Sequence, residues 1–300
     1  MKNVTIGLVA LMATASALAA QEPWPAATLP NTEVHTFRSR INQREYHVAV
    51  ALPMNYRAAG ADTMRYPVLY LLDGGAHLPL MASMFRLTNR SGRTGDLIMV
   101  GIGYYPPGTF IPTPRGETPG RNIDYTPALT DTTTPQWRSD AASFLRVLKE
   151  ELIPMIEQRY RTSRARTLHG HSFGGVFATY ALFEDPDLFD RYAIMSPAYW
   201  WDRESMFTRE RAFRARRTSL DKEVFLAVGG AEGPGMVGLM WRMTAALCDG
   251  RGAGNYTGLK LRAEVVPDEH HNSSALFARS LKALYPAFDP GPVPDVCVAR

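Results

Sequence analysis

The sequence predicts an α/β protein: a central, mostly parallel eight-stranded sheet, with an N-terminal antiparallel hairpin and helices on both faces. Three observations carry that expectation. From residue 66 onward, short β-type runs alternate with helix-length segments, the pattern that right-handed crossovers turn into a parallel sheet. Two of the runs, 66–72 and 97–102, are apolar throughout rather than alternating, as strands buried on both faces must be. The stretch Gly170-His171-Ser172-Phe173-Gly174 joins the β-type run 166–169 to the apolar helical run 176–183, so strand, tight turn and helix follow in immediate succession.

The elements can be justified in chain order. Lys2, an apolar core over 6–18 and the small-residue signal Ala17-Leu18-Ala19 make residues 1–20 an export signal, leaving 21–300 as one domain. No Cys follows at the position a lipid anchor needs, and no later stretch is long enough to span a bilayer, so a periplasmic or secreted protein is expected. Residues 34–38 and 46–52 alternate apolar and polar side chains across a turn at 41–43 and read as a hairpin. Residues 66–72 end at Asp73-Gly74-Gly75, a buried strand delivering a Gly turn. Residues 103–139 show little periodicity, and a loop of that length in a compact domain is usually functional. Phe144, Leu145, Leu148, Leu152 and Ile156 mark a long amphipathic helix with a bend at Pro154. Three further strands are expected at 192–195, 224–228 and 259–266, followed by a Pro-rich tail from 286.

Composition excludes little. With 45% hydrophobic and 21% charged residues the chain is an ordinary globular protein, and its net charge of +4 is dispersed. The densest basic run, Arg209 to Arg217, reads first as a solvated helix face. Nothing resembles a nucleic-acid-binding motif. In an oxidising compartment, Cys248 and Cys297 are expected to form one disulfide that ties the tail to the last helical layer.

The chemistry is expected at Ser172. A glycine-flanked turn between strand and helix lifts its hydroxyl out of the sheet and aims the helix N-terminus at the reacting centre. A serine hydroxyl needs a base, usually a histidine oriented by a carboxylate, and in this topology the order is serine, acid, histidine. Glu232, in the Gly-rich turn after the strand ending at Val228, is the expected acid, with Asp202 as substitute. After the strand ending at Val266 come His270 and His271, of which one can face Ser172. The oxyanion hole is assigned to the backbone N–H groups of Phe173 and Gly75. These parts specify acyl transfer on a small-molecule ester, with no metal and no cofactor.

Five segments, in this order, resemble the "Putative esterase" family of α/β-hydrolases, especially its periplasmic siderophore (enterobactin-type) esterases. They are Leu71-Leu72-Asp73-Gly74, residues 121–127, residues 170–175, Ser196-Pro197-Ala198-Tyr199-Trp200-Trp201-Asp202, and Glu269-His270-His271-Asn272-Ser273. The resemblance runs from about residue 34 to 284. It implies the α/β-hydrolase fold, His271 as base and Glu232 as acid, in a triad or with the serine and histidine acting as a dyad. It also implies a substrate-binding set of Arg121, Tyr125, His171, Trp200 and Trp201, an aromatic cleft for catecholate or aryl rings. A siderophore trilactone or related aryl ester is the expected substrate. The alternatives are an acyl- or feruloyl-carbohydrate ester, or a binding protein that keeps the elbow without catalysis.

Overall fold

The computed structural model describes residues 28–89, 95–105, 119–129, 138–248 and 256–285. The expected export signal, Cys297 and the Pro-rich tail therefore lie outside the described residues.

Eight strands form one sheet in the order β1-β2-β4-β3-β5-β6-β7-β8. β1 (Thr32–Arg38) and β2 (Glu45–Ala51) make the expected hairpin, and β2 runs antiparallel to β4 (Ile98–Gly103). All remaining pairs are parallel, through β3 (Tyr66–Leu72), β5 (Thr162–His171), β6 (Arg191–Met195), β7 (Glu223–Gly229) and β8 (Lys260–Val266). β5 starts four residues earlier than its apolar run because Tyr66 at the foot of β3 pairs with Thr162. The register then shifts between Tyr66 and Val68, at Pro67, which has no N–H to give to a ladder.

The continuous apolar runs are explained by two cores. Along β3, Val68, Tyr70 and Leu72 point to one face, and Leu69 and Leu71 to the other. The first face is covered by helices α3 (Ala141–Arg146), α4 (Ile153–Arg159), α5 (Phe173–Glu184), α6 (Trp201–Arg216) and α7 (Pro234–Cys248). The second is covered by α1 (Gly74–Asn89) and α8 (Ser274–Leu284). α5 is apolar nearly all round, since it is buried from Gly174 to Phe183.

Two expectations change in detail. The helix expected over residues 144–156 is not continuous α-helix up to Pro154. It passes through a π-helical segment, Val147–Leu152, in which the Ile153 N–H bonds to the Leu148 carbonyl five residues back. The wider register sits just where proline withholds its N–H from the ladder, so the chain stays helical from Ala141 to Arg159. The long loop after β4 contains a short helix, α2 (Pro119–Tyr125). Asp124 anchors it, fully buried and accepting hydrogen bonds from Arg44, Tyr46 and Tyr104.

Candidate active site

The site lies at the carboxyl ends of the parallel strands, where four non-glycine residues have positive φ. They are Asp73 after β3, Ser172 after β5, Ser196 after β6 and Asp268 after β8. Such conformations cost about 1–3 kcal/mol each, and their convergence on one sheet edge marks a built site. Ser172 itself (φ 59°, ψ −119°) is held by its N–H to the Met195 carbonyl at 3.0 Å. Its carbonyl receives the N–H groups of Gly175, Val176 and Ala198. The tight turn explains Gly170, where a Cβ would lie 2.0 Å from the Gly174 carbonyl oxygen.

The carboxylate and the imidazole meet. Glu232, in a 3-10 turn (Gly230–Glu232) directly after β7, accepts a hydrogen bond from His271 Nδ1 at 2.6 Å. Its other oxygen accepts from the Gly229 N–H at 2.7 Å and from the Ser196 hydroxyl. Burial raises the Glu232 carboxyl, but the bonds from His271, Ser196 and Gly229 outweigh it and hold the group below its ordinary range. It is a fixed anion, with 2% of its side chain exposed. Holding the proton on Nδ1 leaves Nε2 of His271 as the acceptor, the tautomer a general base needs. His270 points into solvent, and Asp202 is not the carboxylate that meets the base.

The Ser172 hydroxyl makes no hydrogen bond to His271 in this structure. Contacts of this kind are often long without substrate and tighten when it binds. Phe173 and Gly75 each lie in the first turn of a helix, α5 and α1, where backbone N–H groups have no intrahelical acceptor. Gly74 lets that turn close: a Cβ there would be 2.2 Å from the Gly101 carbonyl carbon.

The expected substrate-binding set divides. Trp200 is 54% exposed and stands 5.6 Å from the ring of Phe173, the residue after Ser172. Trp201 is buried behind it. Arg121 makes a two-pronged ion pair with Asp73, at 2.6 and 2.8 Å, and reaches the His171 carbonyl at 3.3 Å. Burial pushes the Asp73 carboxyl up, and the guanidinium more than reverses it. Two residues lie beneath the surface of the site. Tyr125 is fully buried, with its hydroxyl accepting the Asp73 N–H at 3.0 Å, so it supports the Gly turn from beneath. His171 is 4% exposed and turned under the base, its Nε2–H donating to the His271 carbonyl at 2.6 Å. Ser196 is the residue that sequence reasoning missed. It sits in the quoted Ser-Pro segment, but only the approach of β6 to β7 shows that its hydroxyl holds the acid.

Most of the basic run on and just after α6 is engaged by neighbouring groups. Arg209, Arg214 and Arg217 pair with Glu184, Glu210 and Asp187, and Arg216 bonds the Phe183 carbonyl. Among the described residues no group of histidine, cysteine and carboxylate side chains could hold a metal ion, and no helix is long and apolar enough to cross a membrane.

A hydroxyl on an elbow, near an imidazole whose far nitrogen is held by a buried carboxylate, is an arrangement suited to acyl transfer. Comparison with known proteins agrees. Residues 39–274 match the "Putative esterase" family. The chain is 29% identical over 221 residues to the ferri-bacillibactin esterase BesA of Bacillus subtilis, covering 69% of this chain and 73% of that one. It is 32% identical over 183 residues to a siderophore enterobactin esterase of Emericella nidulans, covering 56% and 58%. The crystal structure of the BES protein from Bacillus cereus superposes with a TM-score of 0.72 at 26% identity, covering 87% and 96%. The chain belongs to the "Putative esterase" family and is a serine carboxylic-ester hydrolase on an α/β-hydrolase fold.

Proposed function

We propose that this hydrolase cleaves a siderophore ester, a catecholate trilactone or related aryl ester, with Ser172, His271 and Glu232 as its catalytic residues. The observation that carries the catalytic assignment is the Glu232–His271 bond of 2.6 Å, formed at the same sheet edge as the elbow. Ser172 Oγ attacks the ester carbonyl while His271 Nε2 takes its proton and passes it to the leaving alcohol oxygen. Glu232 steadies the imidazolium that forms. The N–H groups of Phe173 and Gly75 donate to the developing oxyanion, and water then releases the acyl group by the same route in reverse. No step calls for a cofactor. The substrate class is supported by the siderophore esterases among the relatives and by Trp200 and Phe173, which offer aromatic faces beside the nucleophile. Export through residues 1–20, a mature domain over 21–300 and a Cys248–Cys297 disulfide belong to the same proposal, since siderophore chemistry and a disulfide both suit an exported protein.

The test is reaction of the mature protein with a fluorophosphonate probe, read by intact mass and peptide mapping. Labelling at Ser172 is expected in wild type and in His270→Ala, and is expected to vanish in Ser172→Ala and His271→Ala. Labelling elsewhere, or a Ser172→Ala variant as active as wild type on a nitrophenyl ester, would sink the assignment. A catecholate trilactone run against a feruloyl sugar ester then decides the substrate, and faster turnover of the sugar ester would overturn the siderophore reading.

A further inference from the structure

Among the described residues, one hydrogen bond joins the strand carrying Ser172 to the loop carrying His271: His171 Nε2–H donating to the His271 carbonyl at 2.6 Å. We infer that His171 is a positioning residue for the reaction, setting the distance between nucleophile and base rather than touching substrate. This rests on the catalytic roles proposed above for Ser172 and His271.

The base loop, between β8 and α8, is held on its other side by the acid turn. The Ala231 N–H donates to the Glu269 carbonyl at 3.0 Å, and Glu232 takes the His271 Nδ1–H. Both anchors tie the loop to the turn after β7, two strands from the one that leads into Ser172. His171, the residue immediately before Ser172, supplies the anchor on the nucleophile's own strand, and it acts on the backbone of the base itself. The two imidazoles are in contact, with ring centroids 4.6 Å apart at 49°.

His171 is built for a fixed donor. It is the last residue of β5, paired with Met195, so its backbone is tied into the sheet. Its ring stands nearly perpendicular to His77 with centroids 5.8 Å apart and is tilted against Phe277 at 5.7 Å, which restricts rotation. Burial, with His77 and His271 as neighbours, lowers its pKa to about 3, so the ring is neutral at working pH. A neutral ring facing a carbonyl through Nε2 must carry its proton there. The donor is therefore present throughout the cycle, while the proton on His271 Nε2 comes and goes. A slack loop would leave Nε2 of the base too far from the hydroxyl, and reaction rates fall steeply with such displacement.

Two variants separate this role from packing and from substrate binding. His171→Leu keeps an apolar side chain of similar reach but cannot donate, and His171→Gln keeps an N–H that reaches the same carbonyl. On a nitrophenyl ester, His171→Leu is expected to lower kcat by about 10- to 100-fold with KM nearly unchanged, and His171→Gln to recover most of that loss. The rate of fluorophosphonate labelling at Ser172 should follow kcat. Equal loss in both variants would make the site one of packing. A raised KM at unchanged kcat would return His171 to the substrate wall. Either result overturns the inference while leaving the catalytic roles intact, because those stand or fall on Ser172→Ala and His271→Ala. If the variants do not fold, the wild-type imidazole nitrogen spectrum decides the question. A protected Nε2–H on His171 is expected, and an Nδ1–H tautomer overturns the inference.

Discussion

At the residue scale Glu232 is held more firmly than His271. Glu232 has three donors converging on it, and only one of them is the imidazole. The other two, Gly229 N–H and Ser196 hydroxyl, keep the carboxylate ionised and aimed whether or not His271 is charged. Such a carboxylate is what a triad requires and a serine–histidine dyad does not. Glu232→Gln cannot hold His271 in the same tautomer with the same strength. It is expected to lower kcat by roughly 100-fold or more with KM little changed, as measured on a nitrophenyl ester. A loss of only a few-fold would mean that the dyad carries the chemistry. The same carboxyl also ties stability to pH. Because its folded pKa is depressed, its contribution is present above the usual carboxylate range and is lost as pH falls through the lowered value.

At the element scale the short helix α2 bears more than its length suggests. Asp124 fixes its far end to Arg44, Tyr46 and Tyr104, while Arg121 and Tyr125 hold Asp73 and so the turn that carries Gly75. The Arg44–Asp124 pair is the anchor between this helix and the hairpin, with contacts of 2.6 and 2.7 Å and a fully buried carboxylate. Arg44→Met strips the charge partner from a buried anion. Breaking a buried pair in this way costs about 3–5 kcal/mol, which a urea unfolding titration would read. Because α2 also supports the Gly turn, kcat is expected to fall at denaturant concentrations below the unfolding transition, with activity lost before fluorescence changes. Coincident loss of the two signals would mean that α2 and the turn are not coupled.

On the scale of the whole molecule, the second core makes the fold sensitive to acid. His77, His169 and His171 all lie between the sheet and α8, around Phe277, with pKa values lowered chiefly by burial. For His169 the value falls from 6.5 to about 3. Between those limits the unfolded chain binds a proton that the folded chain refuses, so stability drops as pH falls through that window. The slope approaches about 1.4 kcal/mol per pH unit for each such histidine. Urea midpoints between pH 7 and pH 5 should therefore fall steeply. His169→Gln, which has no ionisable group and can still meet the Ser280 hydroxyl, should flatten the dependence by one histidine's share. An unchanged slope would show that His169 takes up its proton as readily in the folded chain as in the unfolded one.

Local pattern was enough to place the strands, the hairpin and the elbow. Apolar runs, alternation and a glycine-flanked serine are short-range properties, and each directly limits the backbone conformations available to it. Chain order was enough to bring Glu232 and the His270–His271 pair to one edge, since both follow strand ends that a parallel sheet must gather there, whereas His271 was singled out by the family resemblance. Tertiary structure alone decided which side chains face that edge and which lie beneath it. Tyr125 and His171 belong to segments that look like substrate walls, yet both are buried supports, because their partners Asp73 and His271 are distant in sequence and meet them only when the sheet closes. The helix around Pro154 was also settled beyond local pattern. A proline predicts a break in the hydrogen-bond ladder, and here the register widens just before it while the side chains of the same helix stay in the first core. Burial and long-range hydrogen bonding depend on where remote segments arrive, and no local stretch of sequence encodes that arrival by itself.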